Sequence, residues 1–207
     1  YDMNEAKTIR TELNSFADFK PNLPPAYRNS KFLFLGNIHP DLQLGVLEQM
    51  RHRPKLVVAD TMNYWIEHER SKVIELVRKS DIVLFNEAEA RQLFKTPNLV
   101  LAARKILELD SDVAIIKKGE NGCMLFTDST HFAAPGYPLE VVKDPTGAGD
   151  CFAGAMIGYL SKHPKLSEPN IRKALVYASA LASFNAEDFS LNRLKTLTMG
   201  DINKRFK

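Results

Sequence analysis

A chain of 207 residues, 44% hydrophobic and 26% charged, is long enough to bury a core in one or two globular domains. Its 28 Lys and Arg against 25 Asp and Glu leave a net charge of +3 dispersed along the sequence. The nearest approaches to a basic run, Arg51-His52-Arg53 and Lys117-Lys118, are too short to track a phosphate backbone, which excludes nucleic acid as a partner.

Two cysteines, Cys123 and Cys151, form neither a disulfide framework nor paired metal ligands, and the five histidines show no metal spacing. No apolar stretch approaches the roughly 20 residues of a membrane span, and the N-terminus lacks a signal-peptide pattern. A cytoplasmic protein with no membrane partner is expected. The chain opens on Tyr1 and not on Met, as a cropped segment does.

In chain order, Thr8 to Leu13 reads as a strand or one helical turn, and Pro21, Pro24 and Pro25 make the next stretch a loop. From Lys31 onward, strand-like apolar runs alternate with helical periodicity, which predicts an α/β fold with a largely parallel sheet. Phe32 to Leu35, Leu56 to Ala59, Ile82 to Phe85 and Val113 to Ile116 are continuous apolar runs, as expected of strands covered on both faces. Asn37, Asp60, Asn86 and Lys117 then stand at or just past the carboxyl ends of these strands, the edge at which open α/β sheets bind ligands.

Helices are predicted between them, over Leu42 to Arg51, Val73 to Arg78, Glu87 to Phe94 and Leu99 to Leu109. Gly119-Glu120-Asn121-Gly122 predicts a tight turn leading into Cys123 to Phe126 and His131 to Ala133 as added antiparallel strands. A strand over Leu139 to Val142 then leads into helices from Gly149 to Leu160, Pro169 to Asn185 and Leu191 to Leu197. Gly154 and Gly158 are expected to mark close packing of the first of these against a neighbour.

The segment Lys143-Asp144-Pro145-Thr146-Gly147-Ala148-Gly149-Asp150-Cys151-Phe152-Ala153-Gly154 carries the chemistry. It enters a long apolar helix through small residues, and the first amides of a helix have no intrahelical acceptor while the dipole there is positive. Glycines at 147 and 149 let the backbone approach an anion without a Cβ in the way. A carboxylate in the first helical turn is favoured by the dipole alone, so capping is one role for Asp150. Beside an anion hole, however, an acid repels the ligand unless it has a task, and taking a proton from an attacking hydroxyl is such a task. Cys151 reads as a packed residue rather than a nucleophile. The chain has no Gly-x-x-x-x-Gly-Lys-Ser/Thr, and a dinucleotide Gly-x-Gly-x-x-Gly from Gly147 fails at Phe152.

Asp144 to Phe152 resembles the C-terminal signature of the PfkB, or ribokinase-like, family of carbohydrate and nucleoside kinases. Asn86-Glu87-Ala88-Glu89 is similar to the family's Asn-x-x-Glu motif, and Ile115 to Gly122 to the segment that runs along its nucleotide. The resemblance spans Lys31 to Leu197. It implies a ribokinase-like three-layer α/β/α sandwich with a mostly parallel central sheet. It also implies ATP-dependent phosphorylation of a hydroxyl on a sugar or sugar-like molecule, with Asp150 as general base and the amides of Gly147, Ala148 and Gly149 as anion hole.

It further implies that Asp144 and Thr146 hold a monovalent cation such as K⁺, and that Asn86 and Glu89 place the Mg²⁺-bound phosphates, Glu89 through water. Lys117 and Gly119 contact the nucleotide on the same grounds, and the helix carrying Ala178, Ala182 and Asn185 walls the adenine pocket. Asp60 and Asn37 are candidates for the acceptor's hydroxyls. The family's opening strand, its sugar-contacting Asp and Gly-Gly elements and its lid have no counterpart here. Residues 1–30 are accordingly expected to be a remnant of the substrate or lid region or a linker, and residues 31–207 the ATP-binding and catalytic domain. A homodimer is the assembly the family suggests. A nucleoside kinase and a noncatalytic nucleotide-binding module are the alternatives.

Overall fold

The computed structural model describes residues 9–163 and 165–206, so Thr8 of the expected Thr8 to Leu13 element lies outside the described residues. Residues 9–13 carry no regular structure, and a 3-10 turn comes next at Asn14–Phe16. The chain divides into two compact units, Tyr1–Ala114 and Ile115–Lys207.

In the first unit, β1 (Phe32–Leu35), β2 (Leu56–Asp60) and β3 (Ile82–Asn86) run parallel, with Phe32 opposite Leu56 and Val58 opposite Ile82. Every residue of β2 is buried, as the apolar run predicts for a strand covered on both faces. Asp81 aligns the entry to β3: its Oδ2 accepts the Val57 amide at 2.6 Å and its Oδ1 the Arg53 guanidinium at 2.6 Å.

The connections are helical: α1 (Pro40–Glu48), α2 (Asn63–His68), α3 (Arg70–Arg78), α4 (Glu87–Phe94) and α5 (Leu99–Leu107). His39 caps α1 by accepting the Asp41 amide ahead of a first-turn proline, and Asn98 caps α5 through the amides of Val100 and Leu101. α1 packs on α3, and α4 on both α2 and α5. Val73, Ala90, Leu93 and Ile106 from these helices join Val57, Val58 and Leu84 in the core. Each of these Val, Leu and Ile side chains contributes roughly 1.5–3 kcal/mol on burial. The sequence does not announce α2. No side chain caps it, and its buried pair Trp65 and Ile66 has no second turn to display a helical period.

β4 (Val113–Lys117) crosses the boundary between the units. In the second unit β5 (Cys123–Phe126) and β6 (His131–Ala134) form the expected antiparallel pair, Cys123 opposite Ala134. Burial of Cys123 pushes its thiol up to about 12. The remaining elements are α6 (Ala148–Lys162), α7 (Glu168–Ala186), α8 (Asn192–Lys195) and α9 (Met199–Phe206).

α6 packs along α7, with Phe152, Ala153, Met156, Leu160, Ala174, Leu175 and Ala178 buried. Gly154 and Gly158 are exposed and a Cβ on either meets nothing within 4 Å, so their spacing marks the open face of α6 and not a helix contact. The strand expected over Leu139 to Val142 is also absent. Val141 and Val142 are exposed, and the next amides, of Lys143 and Asp144, go to the Ala186 carbonyl. An apolar extended run becomes a strand only where a neighbouring ladder receives its backbone. α9 is an addition to the expected elements, although Thr198 and Asp201 cap its start reciprocally, a Thr-x-x-Asp signal readable in the sequence.

Candidate active site

The turn before α6 is set by three local bonds. Asp144 Oδ1 accepts the Thr146 amide at 3.0 Å, the Ala148 amide donates to the Pro145 carbonyl at 3.0 Å, and the Cys151 amide closes the first helical turn on the Gly147 carbonyl at 2.9 Å. Gly147 sits at φ +82°, ψ −1° as the cap of α6, a left-handed conformation that excludes most side chains. Among the described residues, the amides of Gly147, Gly149 and Asp150 meet no acceptor. Of the three amides expected to form the hole, that of Ala148 is the one already engaged.

Asp150 is exposed in the first turn of α6. Lys117, at the end of β4, brings its ammonium to the same place: a Cβ built on Gly149 lies 3.4 Å from Lys117 Nζ. Helix-start amides, the positive end of the dipole and a lysine ammonium therefore converge beside one exposed carboxylate.

Behind this turn stands Asn185, only 2% exposed on α7. Its Nδ2 donates to the Thr146 carbonyl at 2.8 Å, and its Oδ1 accepts the Cys151 thiol at 3.3 Å. Burial, and secondarily the charge of Asp150, raise the Cys151 thiol, which keeps it protonated as that donor. Ala182 lies one turn earlier on α7 and is half-buried. Asp144 is held below the ordinary carboxylate range by the Thr146 hydroxyl, then by the Thr146 amide and the Ser190 amide. It is therefore charged at neutral pH.

Gly119, φ +55°, opens the 3-10 turn Gly119–Asn121 just after β4. The backbone of this turn lies against residues 134–136: a Cβ on Gly122 would overlap the Ala134 carbonyl, and one on Gly136 the Glu120 carbonyl. Gly136 has no local signal in the sequence, because the contact that demands glycine there comes from a segment 14 or more residues away.

The first unit holds the other candidates. Asn86 and Glu89 form a reciprocal capping box at the start of α4, each side chain accepting the other's amide at 2.8 Å, and Glu89 is buried. Asp60, buried at the end of β2, accepts the Thr61 amide at 2.9 Å. Asn37 is exposed beyond β1 with its Oδ1 held by the Trp65 indole at 3.1 Å. Gln43, from buried positions of α1, ties these strand ends together: its Nε2 lies 2.9, 2.8 and 2.9 Å from the carbonyls of Leu35, Gly36 and Asp60. Its signal in the sequence is a polar residue between the apolar Leu42 and Leu44.

Asp144, Thr146, Gly147, Ala148, Gly149, Asp150, Lys117 and Asn185 are thus brought together in the second unit. Asn37 and Asp60 share a strand edge in the first, and Asn86 and Glu89 pair with each other.

Known proteins give the arrangement a context. The model described as pfkB family carbohydrate kinase matches residues 4–196. A cytidine kinase of Thermococcus kodakarensis is 29% identical over 150 residues, 70% of this chain and 53% of its own length. Aminoimidazole riboside kinase of Salmonella enterica, solved with aminoimidazole riboside and an ATP analogue, superposes with a TM-score of 0.76 at 20% identity over 87% of this chain and 64% of its own. A Vibrio cholerae fructokinase, solved with fructose, ADP and a calcium ion, gives 0.76 at 17% identity over 95% and 65%. The two superpositions show a ribokinase-like α/β fold. The chain spans about half the length of the cytidine kinase and under two thirds of either solved structure. Among the described residues no helix is long and apolar enough to cross a membrane.

Proposed function

The chain belongs to the pfkB family of carbohydrate kinases, and on that premise we propose that it transfers the γ-phosphoryl group of ATP to a hydroxyl of a sugar or sugar-like small molecule. One observation carries the reading. The start of α6 offers unengaged amides and the Lys117 ammonium beside the exposed carboxylate of Asp150.

In this reaction the acceptor O–H bond breaks as its oxygen bonds to the γ-phosphorus, and Asp150 takes the proton. The bond from that phosphorus to the β–γ bridging oxygen breaks in line, and ADP leaves with the electron pair. The amides of Gly147 and Gly149 and the Lys117 ammonium face the charge that develops on the phosphoryl oxygens, in a turn already fixed before substrate arrives by the bond from the Ala148 amide to the Pro145 carbonyl. Gly119, Ala182 and Asn185 border the nucleotide, and Asp60 and Asn37 serve the acceptor.

The donors offered to cations are hard oxygens, which fit Mg²⁺ and K⁺ rather than a thiophilic metal. Asp144, ionised and held by its own turn, fits a monovalent cation together with Thr146. Glu89, with Asn86, fits an Mg²⁺ that retains its waters. Bound Mg²⁺ supplies neutralisation of the phosphate charge. Residues 31–207 form the nucleotide-binding and catalytic part in this reading, with residues 1–30 a remnant of the substrate or lid region or a linker. The free thiols of Cys123 and Cys151 support a reducing cytoplasm.

A nucleoside acceptor is the second reading, favoured by the similarity to a cytidine kinase. Both are tested by coupled ADP release from ATP and Mg²⁺, with and without K⁺, against a panel of hexoses, pentoses and nucleosides. Acceptor-dependent release with one class assigns the substrate. ATP binding without release in the presence of any acceptor instead supports a noncatalytic nucleotide-binding module.

A further inference from the structure

α9 lies beyond the residues 4–196 that match the family model, yet one of its side chains reaches the frame of the site. Arg205 is 14% exposed. Its Nη1 donates to Ser183 Oγ at 2.7 Å and its Nη2 to the Glu187 carboxylate, while the guanidinium lies 3.5 Å from the Phe184 ring centroid and 4.5 Å from that of Tyr137. Arg193 donates to the other Glu187 oxygen at 3.3 Å and covers Phe184 at 4.9 Å.

Ser183, Phe184 and Glu187, gripped this way, bracket Asn185 and Ala186, the two residues that hold the anion-hole turn. Asn185 Nδ2 fixes the Thr146 carbonyl at 2.8 Å, and the Ala186 carbonyl accepts the amides of Lys143 and Asp144 at 2.9 and 3.4 Å. Tyr137, the second ring against Arg205, lies on the segment that leads from β6 into that same turn, and Ser179 pins the preceding Pro135 carbonyl at 3.4 Å. A planar guanidinium can hold a carboxylate, a hydroxyl and two aromatic faces at once, which an ammonium cannot.

We infer that Arg205 is a positioning residue for phosphoryl transfer: it immobilises the last turn of α7 and the Tyr137 segment, and through Asn185 and Ala186 it holds residues 143–149 in the anion-binding shape. The inference rests on the kinase reading above. It adds that a C-terminal helix outside the matched family region sets the geometry of the site. An anion hole acts through preorganisation, so loosening its support costs turnover more than ground-state affinity.

The test compares Arg205→Ala, Arg205→Lys and the exposed-site control Lys204→Ala in the 207-residue chain. Amide hydrogen exchange and steady-state kinetics are measured on each. Arg205→Ala is expected to raise exchange at the bonded amides within residues 146–150, those of Thr146 and Ala148, by about tenfold and lower kcat by about tenfold or more, with the KM for ATP changed by less than about threefold. Added low-millimolar guanidinium is expected to restore part of both, and Arg205→Lys to recover less than the rescue does. Lys204→Ala should match the wild type.

Wild-type exchange at 146–150 together with unchanged kcat in Arg205→Ala overturns the inference, as does faster exchange confined to residues 199–206. If Arg205→Ala fails to fold, Glu187→Gln keeps the shape, weakens the grip and is read by the same criteria. If the wild type turns over no acceptor, the kinase reading fails, whereas exchange at 146–150 and ADP affinity still decide whether Arg205 holds the turn.

Discussion

Alanine substitutions at the two glycines flanking Ala148 should separate stability from binding. At Gly147 a Cβ would lie 3.8 and 3.9 Å from the Asn185 amide atoms, ordinary contact, so space does not oppose it. The opposing term is the backbone, at φ +82°, and it costs about 1–2 kcal/mol for an L side chain. In a chain of this length that lowers Tm by roughly 2–8 °C.

Gly149 is helical, and its Cβ would lie 3.4 Å from Lys117 Nζ, the mobile tip of a long side chain. The fold therefore tolerates Gly149→Ala, with helix propensity adding up to about 1 kcal/mol. That methyl nevertheless stands where the ammonium and the amides face an anion. Losing one charge-assisted contact, about 1.5–3 kcal/mol, weakens nucleotide affinity about tenfold or more. Thermal unfolding and calorimetric ATP titration should thus place Gly149→Ala at or above the wild type in stability and Gly147→Ala below it, with ATP affinity reduced in both. Wild-type ATP affinity in Gly149→Ala, or wild-type stability in Gly147→Ala, refutes the reasoning.

Buried groups give two more expected outcomes. Gln43→Met keeps the volume but leaves the carbonyls of Leu35, Gly36 and Asp60 without their donor, and urea denaturation should report a loss of about 2–3 kcal/mol; a change below the measurement error would remove Gln43 as the tie between strand ends. Cys123, raised from 9.0 to about 12 in the fold, stays protonated over a pH window in which the unfolded thiol ionises, so its contribution is intact below pH 9 and is lost as pH climbs toward 12, up to about 4 kcal/mol. Cys123→Ala should flatten the alkaline fall in stability across that window, and parallel pH profiles would contradict this origin.

The parts of the fold legible in the sequence are those whose signal is local. β2 and β3 announce themselves as unbroken apolar runs because both faces are covered, and Asn86 with Glu89 spells a helix start at the spacing of a capping box. Asp144 to Asp150 is likewise legible, since its turn is set by local bonds across two to four residues. The illegible parts depend on distant partners. Val141 and Val142 have strand composition but join no ladder, and the amides that follow, of Lys143 and Asp144, go to the end of α7. Asn185 reads as a pocket wall from its family position, whereas its buried amide also braces the Thr146 carbonyl 39 residues away. Arg205 offers no local pattern at all, because its partners come from α7 and the Tyr137 segment.

The central claim, that Asp150 receives the acceptor's proton, is tested most directly by single-turnover transfer of labelled γ-phosphate from ATP in Asp150→Asn, with nucleotide affinity measured on the same protein. Transfer to the acceptor should slow by about 10²- to 10⁴-fold while affinity for ATP stays within about threefold of the wild type. Transfer at the wild-type rate would contradict the assignment of Asp150 as the base.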